Sequence, residues 1–295
     1  MRIGLLGTGP WARLVHAPAL DGHPGVEFAG VWGRRPEAAG PLAERFGVRA
    51  YDSADALISE VDAVAVALPP DVQADLAVRA ARAGRHLLLD KPLATGVPGG
   101  RAVAEAAEAA GVASVVFFTT RFQRRPREWI REQAAAGGWF TARAHWLGAV
   151  FSGGDSPFAA SPWRRAKGPL WDVGPHALSV LLPVLGDVVR VAAAARGPRD
   201  AVHLILEHSG GATGTVTLSL SAPPAAAGAG VELRGEPGVA VLPEGTEDGP
   251  AAFTAAVDDL LGAARTGERH PCDARFALRV TQILAEAETL LPATG

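Results

Sequence analysis

The stretch GLLGTGPWARLVHAPAL, residues 4–20, combines an apolar run with small residues at the spacing G-x-G-x-x-A. These small residues are Gly7, Gly9 and Ala12. In a dinucleotide-binding turn, the first glycine permits the tight turn and the second lets a pyrophosphate approach the backbone. The third small residue lets the helix pack on the strand. The alternative is a glycine turn that only ends a strand, so the motif needs a strand before it and a helix after it.

The first 120 residues supply that context, because short apolar runs alternate there with helical stretches. The predicted strands are Arg2–Leu6, Val26–Trp32, Val48–Tyr51, Ala63–Leu68, His86–Leu89 and Ser114–Thr119. Helices are predicted near residues 11–22, 36–46, 53–59, 70–83 and 97–110. Such alternation predicts right-handed crossovers and an α/β Rossmann domain with a doubly wound parallel sheet.

The pattern changes after residue 119. A helix near 126–136 leads into WFTARAHWLG, residues 139–148, and after a mixed middle come three strand-like runs in succession, at 188–196, 201–209 and 212–221. Their succession predicts an α+β domain with an open-faced, mostly antiparallel sheet. We interpret SAPPAAAGAG, residues 221–230, as a loop, and residues 251–291 as two closing helices, the second N-capped by Asp273. The predicted domains are therefore residues 1–119 and 120–295.

Length, net charge, cysteine content and the lengths of the apolar runs exclude several classes of protein. A length of 295 residues suits about two domains, and a net charge of −3 gives no basic surplus for binding nucleic acid. The single cysteine, Cys272, excludes an intramolecular disulfide and indicates a structural thiol in a reducing compartment. The first apolar run lacks the features of a signal peptide, and no later run approaches the roughly 18 residues of a membrane span. We expect a cytoplasmic protein with no membrane partner.

The end of the second predicted strand carries Gly33, Arg34 and Arg35. A carboxylate at this place would bind the ribose of NAD, whereas a small residue followed by guanidinium groups leaves room for a 2′-phosphate and neutralises it. The sequence therefore favours NADP(H), with NAD(H) possible. Two alternatives stay open, since both arginines could face solvent or Arg34 could stack on adenine.

The segment HLLLDKPL, residues 86–93, places Asp90 and Lys91 at the carboxyl end of a parallel strand, where open α/β sheets bind ligands. A lysine there can stabilise a developing alkoxide or polarise a carbonyl, and a neighbouring carboxylate can orient it. The alternative is an ordinary lysine on the surface.

The segment KGPLWDVGPHALSVLLPVLG, residues 167–186, contains Asp172 and His176 four residues apart. If it is helical, both side chains share one face, and the histidine is suited to move the proton of a C–OH group during its interconversion with C=O. Asp172 could instead cap a helix beside a buried, hydrogen-bonded His176, or the pair could bind a metal. The remaining histidines show no ligand grouping, and we predict no metal site.

Together these motifs, in this order, resemble the Gfo/Idh/MocA family of nicotinamide-dependent oxidoreductases, and the resemblance spans nearly the whole chain. It implies a Rossmann domain followed by an open-faced sheet domain, with the active site at their junction and a homodimer or homotetramer formed through the sheet. It also implies that Lys91 lies beside nicotinamide and substrate, that Asp172 is the acid of the substrate site, and that His176 donates or accepts the proton.

The motifs and the resemblance together predict a set of cofactor-binding residues. These are Gly7, Thr8, Gly9, Pro10, Trp11, Ala12, Arg34, Arg35, Leu68, Pro69, Asp90, Lys91, Arg121, Trp163 and Arg164. The chain departs from the family at Asp90, which is one methylene shorter than the family's glutamate and should move Lys91 slightly. It also departs at Gln73, where the family often has histidine, and there we expect a weaker contact near the nicotinamide. Pro169 and Pro175 replace flexible positions and should stiffen the loop that leads to His176.

The function predicted from the sequence is hydride transfer between NAD(P) and the CH–OH or keto group of a sugar, a cyclitol or a related small molecule. One alternative is a cofactor-binding sensor or regulator on the same fold that has lost its chemistry. Another is a reductase of an imine or tetrapyrrole bond, in which His176 would matter less.

Overall fold

Six parallel strands form the first sheet of the computed structural model, in the order β3-β2-β1-β4-β5-β6. They are β1 (Arg2–Leu6), β2 (Glu27–Trp32), β3 (Arg49–Ala50), β4 (Ala63–Val66), β5 (His86–Asp90) and β6 (Ser114–Phe117). The order reverses between β1 and β4, and ligands of open α/β sheets bind at the carboxyl ends of the strands beside such a reversal. The predicted doubly wound parallel sheet is confirmed.

The helices between these strands match the predicted ones, with one exception at the start of the chain. They are α1 (Ala17–Asp21), α2 (Pro36–Phe46), α3 (Ala54–Ser59), α4 (Pro70–Arg82) and α5 (Val97–Ala109). The single helix predicted over residues 11–22 is wrong, because Ala12–His16 form a π-helical turn before α1. Pro18 has no N–H to give to the helical ladder, and the N–H of Ala17 bonds to the carbonyl of Ala12, five residues earlier.

The structure describes residues 1–153 and 156–292, which divide into two compact units. Of these residues, the first unit contains Met1–Phe122 and Glu247–Arg279, and the second contains residues 123–153, 156–246 and 280–292. The predicted domain limits at 119 and 120 stay a prediction. Residues 247–279, which that division placed in the second domain, pack within the first unit.

The returning segment of the first unit consists of α9 (Gly249–Thr266) and the beginning of α10 (Ala274–Leu290). Phe253 of α9 is fully buried, and its ring meets the ring of Phe117 edge-on at 5.0 Å. The predicted N-cap is confirmed, because Asp273 Oδ1 accepts from the N–H of Phe276 at 2.9 Å. Cys272 is buried, as expected of a structural thiol.

A second sheet, in the order β12-β11-β7-β10-β9-β8, forms the centre of the second unit. Its strands are β7 (Trp139–Leu147), β8 (Val188–Arg196), β9 (Val202–His208), β10 (Thr213–Ser219), β11 (Gly228–Gly235) and β12 (Gly238–Val241). The predicted mostly antiparallel character is confirmed, but the central pair β7 and β10 is parallel. The loop predicted over 221–230 is wrong at its end, where β11 begins, and β12 was not predicted. Glycine and alanine give this edge little strand signal, and a Cβ at Gly230 would lie 2.8 Å from the exposed His145 ring.

The helices of the second unit are α6 (Arg124–Ala136), α7 (Pro162–Asp172), α8 (Gly174–Leu185) and the end of α10. The possibility that Asp172 and His176 share one helical face is not met, because α7 ends at Asp172 and α8 begins two residues later. Asp172 is not a helix cap either, since Val173 occupies the N-cap of α8 and forms no side-chain capping bond.

Two negative findings apply to the residues that the structure describes. None of their helices is long and apolar enough to cross a membrane. Within the same ranges, no group of three or more His, Cys, Asp or Glu side chains could hold a metal ion.

Candidate functional site

The glycine turn follows β1 and is held by close backbone contacts. Gly7 has a φ of 137°, and a Cβ there would lie 2.3 Å from the carbonyl oxygen of Ala67, so only glycine fits. A Cβ at Gly9 would meet nothing within 4 Å, so the space above this residue is open. Ala12 is fully buried. The turn therefore has the features of a dinucleotide site, with a required first glycine, an open second glycine and a packed third small residue.

The end of β2 packs directly on this turn. Gly33 is buried, and a Cβ there would lie 2.5 Å from Cγ2 of Thr8. Arg34 and Arg35 follow and are exposed. Within residues 1–153 and 156–292, neither guanidinium group has a hydrogen-bond or ion-pair partner, so two cations remain available at the edge of the turn.

A buried glutamine holds the Asp90-Lys91-Pro92 turn at the carboxyl end of β5. Gln73, on α4, is 1% exposed, and its Oε1 accepts from the N–H of Asp90 at 2.8 Å. Its Nε2 donates to the carbonyl of Asp90 at 2.7 Å and lies 3.2 Å from the carbonyl of Pro92. The Lys91–Pro92 peptide is cis. Sequence reasoning noted Gln73 only as a departure and missed this backbone clamp, while the expected weaker nicotinamide contact stays a prediction.

A histidine that the sequence analysis did not select faces the same turn. His16 ends the π-helical turn, is fully buried, and stacks on Phe253 with ring centroids 3.9 Å apart. Burial lowers its pKa to about 3, so the imidazole is neutral near pH 7. Its Nε2 lies 3.8 Å from Oδ2 of Asp90. The only sequence signal was its position four residues after Ala12.

The other predicted cofactor residues of the first unit lie at the same edge of the sheet, because the carboxyl ends of parallel strands meet there. Thr8, Pro10 and Trp11 are half-buried in and after the glycine turn, while Leu68 and Pro69 are half-buried after β4. Arg121 follows β6, and its guanidinium group lies over the ring of Phe276 at 5.7 Å. Their contacts with a cofactor stay predictions.

In the second unit, an ion pair holds Asp172. Nε of Arg164 donates to its Oδ2 at 2.9 Å, and the side chains of Asp172 and Arg164 are 6% and 20% exposed. The guanidinium group also lies 5.1 Å from the ring of Phe158 and 4.8 Å from that of Trp163. This packing fixes Arg164 and thus orients the carboxylate. The predicted cofactor contacts of Trp163 and Arg164 stay predictions.

His176 lies in the first turn of α8 and is half-buried. Its ring is nearly parallel to that of Trp146, with centroids 6.0 Å apart and an interplanar angle of 10°. The expected loop before it is helical instead: Pro169 follows a kink at Gly168, and Pro175 lies in the first turn of α8. Both prolines therefore lie in helical segments and not in a loop, and the stiffness expected of them stays a prediction.

Comparison with known protein families matches both parts of the chain. A family model described as "Oxidoreductase family, NAD-binding Rossmann fold" matches residues 1–118, and one described as "GFO/IDH/MocA C-terminal domain" matches residues 124–241. The chain belongs to the Gfo/Idh/MocA family. The resemblance noted from the sequence is thereby confirmed, and the glycine turn is part of an NAD(P)-binding Rossmann fold.

Two Gfo/Idh/MocA relatives indicate the breadth of the similarity. D-xylose 1-dehydrogenase (NADP(+)) 2 of Haloferax volcanii is 32% identical over 240 residues, which cover 76% of this chain and 70% of the relative. The dTDP-3,4-didehydro-2,6-dideoxy-alpha-D-glucose 3-reductase of Actinomadura kijaniata is 38% identical over 100 residues. That match spans 33% of this chain and only 30% of the relative's length.

Among solved structures, GenD2 from gentamicin A biosynthesis, in complex with NAD, has a TM-score of 0.85 and 21% identity. The superposition covers 98% of this chain and 93% of GenD2. At this level of identity the likeness shows that the two proteins share the Gfo/Idh/MocA fold.

Proposed function

We propose that the protein is an NADP(H)-dependent dehydrogenase or reductase of a sugar, a cyclitol or a related hydroxy or keto compound. The observation that carries the proposal is the glycine turn, where Gly7 is sterically required and the space above Gly9 is open. A bound nicotinamide would supply or accept the hydride. The names of the relatives, which act on D-xylose and on a dTDP-sugar, support a carbohydrate-like substrate.

The preference for NADP(H) rests on the charges beyond β2. Gly33 leaves no carboxylate to bind a ribose hydroxyl, and Arg34 and Arg35 are exposed cations without a partner among the described residues. A 2′-phosphate adds negative charge that NAD(H) lacks, so only NADP(H) gains charge-assisted hydrogen bonds here. The relative from Haloferax volcanii is named for NADP(+), which agrees with this assignment.

Three residues would carry the chemistry. The ammonium of Lys91 would stabilise negative charge on the substrate oxygen, in a turn that Gln73 keeps fixed. His176 would take up or give the hydroxyl proton. Asp172 would contact the substrate in the orientation that its ion pair with Arg164 imposes.

Cofactor titration followed by nicotinamide fluorescence tests the first part of the proposal. NADPH should bind more tightly than NADH, and Arg34→Ala or Arg35→Ala should weaken NADPH binding by about tenfold without changing NADH binding. Arg45→Ala is the matched control, since Arg45 is also exposed and lies further along α2. Equal affinity for the two cofactors would contradict the NADP(H) preference, and no binding would remove the enzyme function altogether.

Turnover on a panel of D-xylose, myo-inositol and related ketones, with NADP⁺ or NADPH, tests the chemistry. Lys91→Ala and His176→Ala should lose turnover while NADPH still binds. Cofactor binding without turnover of any substrate would favour the sensor alternative. Reduction of a cyclic imine that persists in His176→Ala would favour the imine reductase.

A homodimer or homotetramer through the second sheet also belongs to the proposal. Cross-strand neighbours form a row on the open face, defined by Ala193, Ile205, Thr215, Arg143, Glu232 and Val241. Ile205 is 43% exposed and Val241 is 60% exposed. Light scattering should show an oligomer that Ile205→Glu weakens, whereas a monomer at all concentrations would contradict this assembly.

A further inference from the structure

His16 is a polar side chain in an apolar environment. Its imidazole is fully buried, stacked on Phe253 at an interplanar angle of 29° and edge-on to Phe117 at 6.4 Å. In the described part of the chain, neither ring nitrogen has a hydrogen-bond partner. Burying a polar group without a hydrogen bond is unfavourable, and native proteins rarely do so without a reason.

The charged group that faces this histidine is the carboxylate of Asp90. The 3.8 Å between Nε2 and Oδ2 is longer than a hydrogen bond, whose usual length is about 2.9 Å. The side chain of Asp90 is 16% exposed, so water screens it only in part. A lone pair on Nε2 would repel the carboxylate, whereas an Nε2–H would attract it, so the geometry favours the tautomer with the proton on Nε2.

Gln73 holds the backbone of Asp90 in place. It accepts from the N–H and donates to the carbonyl of that residue, which fixes the backbone on both sides of the Asp90 Cα. With the backbone held, a change in the side-chain torsions of Asp90 that brings the carboxylate about 0.9 Å nearer would complete a bond to Nε2. Hydrogen bonds of active sites are often long in the free enzyme and shorten in the complex.

We infer that His16 is a positioning residue, whose Nε2–H bonds to the Asp90 carboxylate when NADP(H) is bound and so fixes the negative charge beside Lys91. This inference rests on the proposed function of Lys91. The burial that keeps the imidazole neutral makes His16 a constant donor across the working pH range, and it does not act as a proton carrier.

The first experiment observes the wild-type protein directly. In protein labelled with ¹⁵N-histidine, long-range ¹H–¹⁵N correlation spectra should show His16 protonated on Nε2. Addition of NADP⁺ should move the Nε2–H proton downfield, because a shorter bond to a carboxylate deshields it, and Asp90→Ala should abolish that movement. A proton on Nδ1, or an Nε2–H signal that NADP⁺ leaves unchanged although it binds, would overturn the inference.

The second experiment replaces His16 by glutamine, asparagine or phenylalanine and compares the activities of the three variants. The nitrogen of glutamine can occupy the place of Nε2, and that of asparagine the place of Nδ1. His16→Gln should therefore keep kcat within about threefold of wild type, whereas His16→Asn and His16→Phe should lower kcat by about tenfold, with the KM for NADP⁺ unchanged. Wild-type kcat in both of the latter variants would overturn the role.

His208 provides a matched control, because it is also buried and its Nε2 has no hydrogen-bond partner in the described residues. His208→Asn, which can keep the bond to the carbonyl of Gly186, should leave kcat unchanged. If the wild type turns over nothing on the panel, the proposed function fails. The tautomer of His16 and the response of its Nε2–H signal to NADP⁺ then decide the inference, since neither measurement needs turnover.

Discussion

Gln73→Leu should destabilise the first unit by an amount that follows from two short hydrogen bonds. The substitution keeps an apolar body of similar size in a site that is 1% exposed, but it removes the partners of the N–H and the carbonyl of Asp90. Each backbone group left without a partner in such a site costs about 1–3 kcal/mol. We therefore expect a loss of about 3 kcal/mol, which corresponds to a fall in Tm of about 6–12 °C.

Thermal unfolding followed by circular dichroism measures this loss. Asp75→Leu is the control, because Asp75 lies on the same helix but is exposed, and its replacement should change stability by no more than about 0.5 kcal/mol. A Tm of Gln73→Leu within about 2 °C of wild type would refute the reasoning that the clamp stabilises the turn.

Gln73→Glu tests the same clamp through pH. The new carboxyl group would face the carbonyl oxygens of Asp90 and Pro92, which favour its protonated form and raise its pKa in the folded state. The unfolded chain releases that proton above about pH 4.3, so the free energy of unfolding of the variant should fall as pH rises from there. A deficit relative to wild type that is the same at about pH 5 and pH 8 would contradict this geometry.

Three further substitutions test other contacts. Gly7→Ala should lower the free energy of unfolding by more than about 3 kcal/mol in urea, whereas Gly9→Ala, with its open space, should remain stable and only bind NADPH more weakly. Arg164→Met should cost about 2–3 kcal/mol because it leaves a buried carboxylate without its cation, while Arg165→Met at the neighbouring exposed position should cost less than about 1 kcal/mol. His16→Phe should reduce the acid sensitivity of folding: between about pH 8 and pH 5 the wild type should lose about 2 kcal/mol more than the variant, since only the unfolded imidazole takes up a proton there. Parallel stability curves for these two proteins would contradict a neutral, buried His16.

The parallel sheet could be predicted from the sequence because its strands are buried on both faces. Continuous apolar runs such as Ala63–Val66 and Leu87–Leu89 alternate with helices, and this pattern admits few topologies. The glycine turn was predictable for a related reason, since Gly7 has a backbone conformation that other residues rarely adopt.

The errors fall where neighbours distant in sequence determine the structure. The strand β11 begins with glycine and alanine, which have low strand propensity, and its start is determined by antiparallel pairing with β7, which lies about 80 residues earlier in the chain. The separation of Asp172 from His176 by a break between two helices depends on backbone angles that a spacing of four residues does not report.

The candidate site was predictable only in part. Lys91 and Asp90 could be selected because strand ends of a parallel sheet collect functional side chains. The contacts of Gln73 and His16 could not, since a buried glutamine or histidine has no periodic signal and its partner lies elsewhere in the chain. Each is recognised only when the burial and the partner are known together.

The return of Glu247–Arg279 to the first unit has a consequence for the order in which the chain can fold during synthesis. When residues 1–122 have been synthesised, every strand of the parallel sheet has been made, yet Phe117 and His16 still lack the ring of Phe253 that covers them. The apolar surface that Phe253 covers therefore stays exposed on the nascent chain until more than half of the remaining residues have been synthesised. Chaperones that bind such surfaces should associate with this chain during that interval and leave it once α9 has docked.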